Sequence, residues 1–325
     1  MKLFRSLAVL GFPLACAFAA MTAQAADFPT RPVKIVIGFA PGGATDSVAR
    51  ILAQDMSQSL GQQVVVENRT GATGNVATDF VRRAESDGYT LLLTSQSHIT
   101  NPLLMKAAQY DAVKDFAPIT RAALLPMFLV TSGESKWQNV RDLVAAARSA
   151  PNSVSYATAG LGGAGHLNGE LLGQATGAKM VHVPFKGSAP AMTEVMAGRI
   201  SFQFTPIPGV NQQVEAKRLK VLAVGAANRL PEWPSVPTMD EAGFNGFAEA
   251  APWLGLFAPK GTPPAIVAAL NQAAVKSLRD PRSQEKMNAL GAVPVSSTPA
   301  EFTAFLDADV RRWERIIQSA GLKPE

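Results

Sequence analysis

The feature that most constrains this chain is a repeating order: a short β-branched run, a glycine-bearing loop, then a helix-period segment. The first cycle begins at Val33, where Val33-Lys34-Ile35-Val36-Ile37-Gly38-Phe39 reads as a strand apolar enough to be covered on both faces. Ala40 to Gly43 forms the loop, and Val48, Ile51, Leu52, Met56 and Leu60 then follow a 3.6-residue period, with Gly61 placed to end the helix. Val64-Val65-Val66, the glycine loop at Gly71 and Gly74, a helix around 76–84 and the strand Tyr89 to Leu93 make the second cycle. The order restarts near Trp137, with strands expected at 154–157, 180–183, 200–204, 219–224 and 253–258, and helices at 140–148, from 166, and at 189–197. Two helical stretches, 264–279 and 299–320, close the chain. Strand–helix alternation predicts an α/β fold built of right-handed βαβ units on parallel sheet.

The N-terminus sets the compartment. Lys2 and Arg5 precede an apolar stretch from Leu7 to about Ala20, and Ala23-Gln24-Ala25 follows it. This is the layout of a cleavable export signal, with cleavage expected after Ala25. The stretch is shorter than the ~20 residues of a bilayer span, and Pro13 interrupts it. Cys16 could mark a lipoprotein, but Pro13 stands where such signals carry leucine, so a soluble product is expected. Cleavage removes the only cysteine, leaving the mature chain without a disulfide of its own.

About 300 mature residues suit two domains better than one core. The formal charge of +5 falls to nearer +3 once Lys2 and Arg5 leave, and no Lys/Arg-dense block exists. Nucleic-acid binding is therefore not expected. The histidines, His98, His166 and His182, lie far apart, with no H-x-x-x-H or H-E-x-x-H spacing, so no metal site is expected. No G-x-S-x-G elbow occurs, so no catalytic residue is assigned, and the first glycine loop, Ala40 to Gly43, is neither G-x-G-x-x-G nor a Walker loop, so no cofactor is called for. The four tryptophans, Trp137, Trp233, Trp253 and Trp313, read as packing residues.

Three loops, each after a strand, are placed where open α/β sheets hold ligands. In the first, Gly42 and Gly43 offer backbone N–H groups at a helix start, with Asp46 placed to cap it. Such a start suits a carboxylate or phosphate, and it is equally a tight turn before a capped helix. The second, Thr94-Ser95-Gln96-Ser97-His98, could bind an anion or cap the next segment. In the third, Gly160, Gly162, Gly163 and Gly165 precede His166, which could donate to a ligand or cap its helix. His182 alternates with apolar neighbours and reads as a satisfied core residue.

Taken together, "RPVKIVIGFAPGGATDSVARILA" (31–53), "GQQVVVENRTGATGN" (61–75), "DGYTLLL" (87–93), "SHITNPLL" (97–104), "AGLGGAGHLNGELL" (159–172), "VPFKGSAPAMTEVMAGRISFQF" (183–204), "LKVLAVG" (219–225) and "GLFAPKGTP" (255–263) resemble the substrate-binding proteins of tripartite tricarboxylate transporters, the Bug family. The resemblance runs through essentially the whole mature chain. It implies a periplasmic two-domain clamshell with a hinge. Domain 1 would comprise 26–125 plus 248–325, with domain 2, 126–247, inserted in it. It further implies capture of a small organic carboxylate, largely by backbone amides and waters, and delivery to membrane permease subunits by a monomer without cofactor.

Carried over to this sequence, the first-domain side would use Phe39, Ala40, Gly42 and Gly43, with Asp46, Ser95, Ser97 and His98 nearby. The second-domain side would use Thr158, Gly160, Gly162, Gly163 and His166. Where some relatives resembling amino-acid binders carry an aspartate, this chain has Thr205, which argues against a ligand bearing an ammonium group. A dicarboxylate or aromatic acid without a free amine is the expected ligand. Two other functions stay open at this level: a secreted α/β hydrolase-like enzyme acting on small carboxylate esters, and a ligand sensor for a membrane kinase.

Overall fold

The structure is a computed structural model that describes residues 28–160, 163–185, 187–207, 210–319, 321 and 323–324. The export signal, Cys16 and the cleavage point lie outside the described residues, as does Gly162.

Two mixed sheets organise the chain. The first uses β1 (Val33–Ile37), β2 (Val64–Asn68), β3 (Thr90–Ser95), β4 (Phe116–Leu124), β10 (Trp253–Pro259) and β11 (Val293–Pro294), ordered β11-β4-β10-β3-β1-β2. The second uses β5 (Met127–Ser132), β6 (Ser155–Thr158), β7 (Val181–Pro184), β8 (Phe202–Pro206) and β9 (Leu219–Val224), ordered β7-β6-β8-β5-β9. The expected parallel pairing holds at β2-β1-β3 and β7-β6-β8. Elsewhere the sheets are antiparallel, because β10 lies against β3 and β4 while β5 lies against β8 and β9. The sequence reading passed over β4 and β5. Their run, Phe116 to Ser132, carries Pro118 and Arg121 and has neither a clean alternation nor a glycine loop to announce it.

Each sheet is buried on both faces, which explains the unbroken apolar runs. In β1, Ile35 and Ile37 pack with Val48, Leu52 and Met56 of α1 (Ala44–Leu60) and with Leu270 and Leu278 of α8 (Pro264–Arg279). Val36, between them, turns the other way. It joins Val81 of α2 (Asn75–Arg82), Ile99 of α3 (Ser97–Leu104) and Phe302, Leu306 and Trp313 of α10 (Pro299–Ser319). Burying one such side chain contributes about 1.5–3 kcal/mol.

In the second sheet, Tyr156 and Phe202 pack with Leu143 of α4 (Val140–Ser149) and Leu172 of α5 (Ala164–Thr176). Phe128 and Ala157 on the other face meet Ala191 and Val195 of α6 (Ser188–Met196) and Val210 of α7 (Val210–Glu215). Close approach explains two glycines of α5. A Cβ on Gly165 would lie 2.8 Å from the Phe204 carbonyl oxygen, and one on Gly169 would lie 2.2 Å from the Tyr156 ring.

The chain crosses between the sheets twice, through Leu125-Pro126 and again between β9 and β10. The crossings touch: the Leu125 N–H donates to the Pro252 carbonyl at 2.6 Å, and the Gly225 N–H donates to Met127 at 2.9 Å.

Candidate functional site

A cavity of about 860 Å³ opens between the two sheets. Its first-sheet wall is the loop after β3 and one stripe of α3: Ser97, Thr100, Asn101 and Leu104. That i, i+3, i+4, i+7 spacing places the helix lengthwise along the cavity. Its second-sheet wall is the loop after β6 and the start of α5: Ala159, Gly160, Gly163, Ala164 and Leu167. Two helix N-termini therefore face one space from opposite sheets. Each carries roughly half a positive charge and N–H groups that its own helix leaves unpaired. No Asp or Glu is among the described lining residues, and one lysine, Lys323 of the C-terminal tail, is.

Of the sequence-predicted residues, Ser95, Ser97, Gly160 and Gly163 meet at this cavity. The two serine hydroxyls lie 2.9 Å apart, and the Ser97 N–H donates to Ser95 Oγ at 3.3 Å, which closes the turn from β3 into α3. Gly160 holds φ +140°, a conformation L side chains rarely adopt. The first loop sits outside the cavity wall. Ala40, Gly42 and Gly43 are exposed, while the half-buried Phe39 reaches inward. Its ring lies 3.5 Å from where a Cβ on Gly74 would stand, and Ser97 Oγ lies 3.7 Å from that same point. Gly38 must be a glycine here, since its Cβ would fall 2.3 Å from the Gly74 Cα.

The N–H groups expected to be bare at the first loop are in use. Gly42 donates to Asp46 Oδ2 at 3.0 Å, and Gly43 donates to the Ala40 carbonyl at 3.5 Å. Gly43, not Asp46, is the N-cap of α1. Asp46 stands in the first turn and is 3% exposed. Its carboxylate accepts from Arg50 Nε (2.9 Å) and Nη2 (3.0 Å) and from Asn68 Nδ2 (2.9 Å), as well as from Gly42. The Arg50 guanidinium, with Gly42 and Asn68 adding, holds its pKa down to about 2 against the opposing effect of burial. A carboxylate so occupied braces the loop, and Asp46 is not among the described residues lining the cavity.

His98 is the clearest correction. It is 0% exposed, on the inner face of α3, with ring centroids of Tyr110, Phe116 and Phe257 at 5.4, 4.7 and 4.6 Å. Its Nε2 lies 2.8 Å from the Ala112 carbonyl, which only an N–H can satisfy, so Nδ1 carries the bare lone pair. Nδ1 is buried without a hydrogen-bond partner. Burial accordingly pushes its pKa down to about 4. The position one residue after Ser97 put His98 on the core side of the helix.

His166 is likewise buried behind its loop, at 2% exposure, stacked on His182 at 3.9 Å and 14° and beside Glu170. Burial lowers its pKa. Thr158, 1% exposed, shares its hydroxyl with Gly160 and His182, and Thr205, also 1% exposed, lies 3.3 Å from Ser188 Oγ. Neither lines the cavity.

The sequence reading missed Thr73, Asn101 and Lys323. Thr73 follows Gly71 in a 3-10 turn, Ala72–Gly74, and its carbonyl accepts from Asn101 Nδ2 at 3.1 Å. The sequence reading placed no helix at 97–104, so the α3 stripe went unread, and nothing in the sequence marked Lys323. Among the described residues no His/Cys/Asp/Glu group could hold a metal, and no helix is long and apolar enough to cross a membrane.

Comparison with known proteins agrees with this architecture. The family model "Tripartite tricarboxylate transporter family receptor" matches residues 48–322. The chain is 36% identical to Protein BugT of Bordetella pertussis over 328 residues, covering 99% of each chain. It superposes on Rpa4515 of R. palustris, solved with adipate, at TM-score 0.78 and 35% identity, covering 92% of this chain and 100% of that one. It superposes on MatC of Rhodopseudomonas palustris, solved with bound malate, at TM-score 0.73 and 31% identity, covering 89% and 100%. These relatives are solute-binding proteins and not enzymes, which sets the hydrolase reading aside. The chain therefore belongs to the tripartite tricarboxylate transporter receptors, the Bug family of periplasmic solute-binding proteins.

Proposed function

We propose that this receptor captures a small organic carboxylate without a free amine, a dicarboxylate or an aromatic acid, in the cavity between its sheets. It would then deliver the solute to the permease subunits of a tripartite tricarboxylate transporter. One observation carries this reading: the N-termini of α3 and α5 face the same 860 Å³ space from opposite sheets, with Lys323 and no acidic side chain among the described lining. That surrounding favours an anion and offers an ammonium group no counter-charge. The relatives solved with adipate and malate support the same class.

In this reading 26–125 plus 248–325 and 126–247 act as domains that close about the two touching crossings, and the wall residues meet the solute only on closure. Cleavage after Ala25 releases a diffusing monomer.

The test is a thermal-shift panel of carboxylates, amino acids and simple esters with the mature protein. A dicarboxylate or aromatic acid at about 100 times its Kd should add about 2.7 kcal/mol of apparent stability. Shifts with glutamate or aspartate alone, or ester turnover without any shift, would refute it.

A further inference from the structure

At the described start of the third glycine loop, the Thr158 hydroxyl holds Gly160. Thr158 ends β6 with its side chain 1% exposed, and its Oγ1 makes three contacts. It donates to the Gly160 carbonyl at 3.1 Å and accepts the Gly160 N–H at 3.3 Å, and it lies 2.7 Å from His182 Nε2 on the neighbouring strand β7. Gly160 lines the cavity at φ +140°, so the hydroxyl grips both polar groups of a residue whose backbone only glycine holds readily. A threonine hydroxyl alone can rotate away. Because the single hydroxyl proton goes to the Gly160 carbonyl, the 2.7 Å bond is His182 Nε2–H donating to Thr158 Oγ1, and it stops that rotation.

His182 is itself fixed. Its ring packs against both His166 at 3.9 Å and Tyr156 at 5.1 Å, with Glu170 of α5 close to His166 and Tyr156. Burial and the neighbouring His166 hold it uncharged near neutrality, its pKa lowered to about 4. The strand register sets Thr158 and His182 diagonally across β6 and β7, with Tyr156 opposite His182 and Thr158 opposite Pro184. None of these three rings lines the cavity. Their common product is the position of one hydroxyl.

We infer that His182 is a positioning residue for ligand capture: through the Thr158 hydroxyl it fixes Gly160 in the conformation that presents the second-sheet wall to the solute. This rests on the cavity being the carboxylate site. It adds a role to His182, read from the sequence as a satisfied core residue, and gives Thr158, a residue expected to touch the ligand, an indirect one.

The experiment is calorimetric titration of the mature protein with adipate, malate and benzoate at neutral pH, across five variants. Thr158→Val removes the hydroxyl at constant volume, and His182→Phe keeps the stack while removing the bond. Each should weaken binding of the probe that wild type takes by about tenfold or more. The double variant should be no weaker than the worse single one, because the two residues act on Gly160 through one shared bond. Thr158→Ser and His182→Gln, which restore the polar atom, should recover most of the affinity.

Full affinity in Thr158→Val or His182→Phe, additive losses in the double variant, or failure of both conservative variants to recover binding would each overturn the inference while leaving the carboxylate reading intact. Wild type binding none of the three probes would overturn both.

Discussion

Acidification should destabilise this receptor, and the share carried by one buried histidine can be worked out in advance. His98 is wholly buried against three aromatic rings, donates Nε2–H to Ala112, and leaves the Nδ1 lone pair without a donor. Protonation would place a charge and an unmet donor in that aromatic cage, so the folded-state pKa falls from the ordinary 6.5 to about 4. The unfolded chain takes up the proton at about 6.5, so between the two values it binds more protons than the folded one. Stability from His98 is therefore complete above about pH 6.5 and is lost as pH falls toward 4.

At 1.36 kcal/mol per pH unit, going from about pH 7.5 to about pH 4.5 should cost about 2.5 kcal/mol through this residue. The assay is urea unfolding followed by tryptophan fluorescence, comparing wild type with His98→Gln. The variant keeps a donor for Ala112 and cannot titrate. Contributions from every other group, His182 and the buried Asp309 included, are common to both proteins and cancel in the comparison. With an m-value of about 3 kcal/mol/M, wild type should lose about 0.8 M more of its midpoint than the variant. Equal losses would refute the reasoning, and so would a larger loss in the variant.

Three further outcomes follow from the same contacts. Lys323→Gln removes the one charged side chain among the described lining residues, so it should weaken a dicarboxylate several-fold at low salt and less at high salt, as read by titration at two ionic strengths. Gly169→Leu must push the Tyr156 ring, 2.2 Å from its Cβ, and with it the sheet face under α5; a loss of about 1–3 kcal/mol in urea unfolding is expected. Asp46→Asn breaks the Arg50 ion pair and weakens the grip on Gly42, and should cost about 1–2 kcal/mol with a flattened acid limb near pH 2, measured by unfolding between about pH 2 and 5.

Much of the architecture was legible because its local signals agree. β1, β2, β3, β6, β8, β9 and β10 are β-branched or apolar runs with a turn beside them, and α1, α8 and α10 carry long clean periods. What escaped was the part made by long-range pairing. β4 and β5 form only because β10 and β9 return from far along the chain to flank them, and no short window of sequence records that return. At the site, backbone character was legible and side-chain direction was not. The glycine loops announced where N–H groups would gather, yet whether His98 faced the cavity or the core depended on the helical phase of α3, and 97, 100, 101 and 104 took the cavity face. His98, one step after Ser97, turned inward.

The polar side chains that drew attention in the sequence share a further property. Asp46 is taken up by Gly42, Arg50 and Asn68, Thr158 by Gly160 and His182, and Thr205 lies beside Ser188. Each is buried next to a loop and bonded within its own sheet layer, so a solute entering the cavity would find their capacity already used. What remains open to it is backbone at two helix starts, the Ser95–Ser97 pair, the α3 stripe and Lys323. Backbone N–H groups cannot titrate and cannot swing to another rotamer; their aim is set by the loop alone. If the proposed carboxylate capture holds, a receptor built this way would recognise its solute largely by where its peptide groups point. Its selectivity should then respond more to substitutions that move a loop, such as those at Thr158 and His182, than to substitutions of residues chosen for their charge.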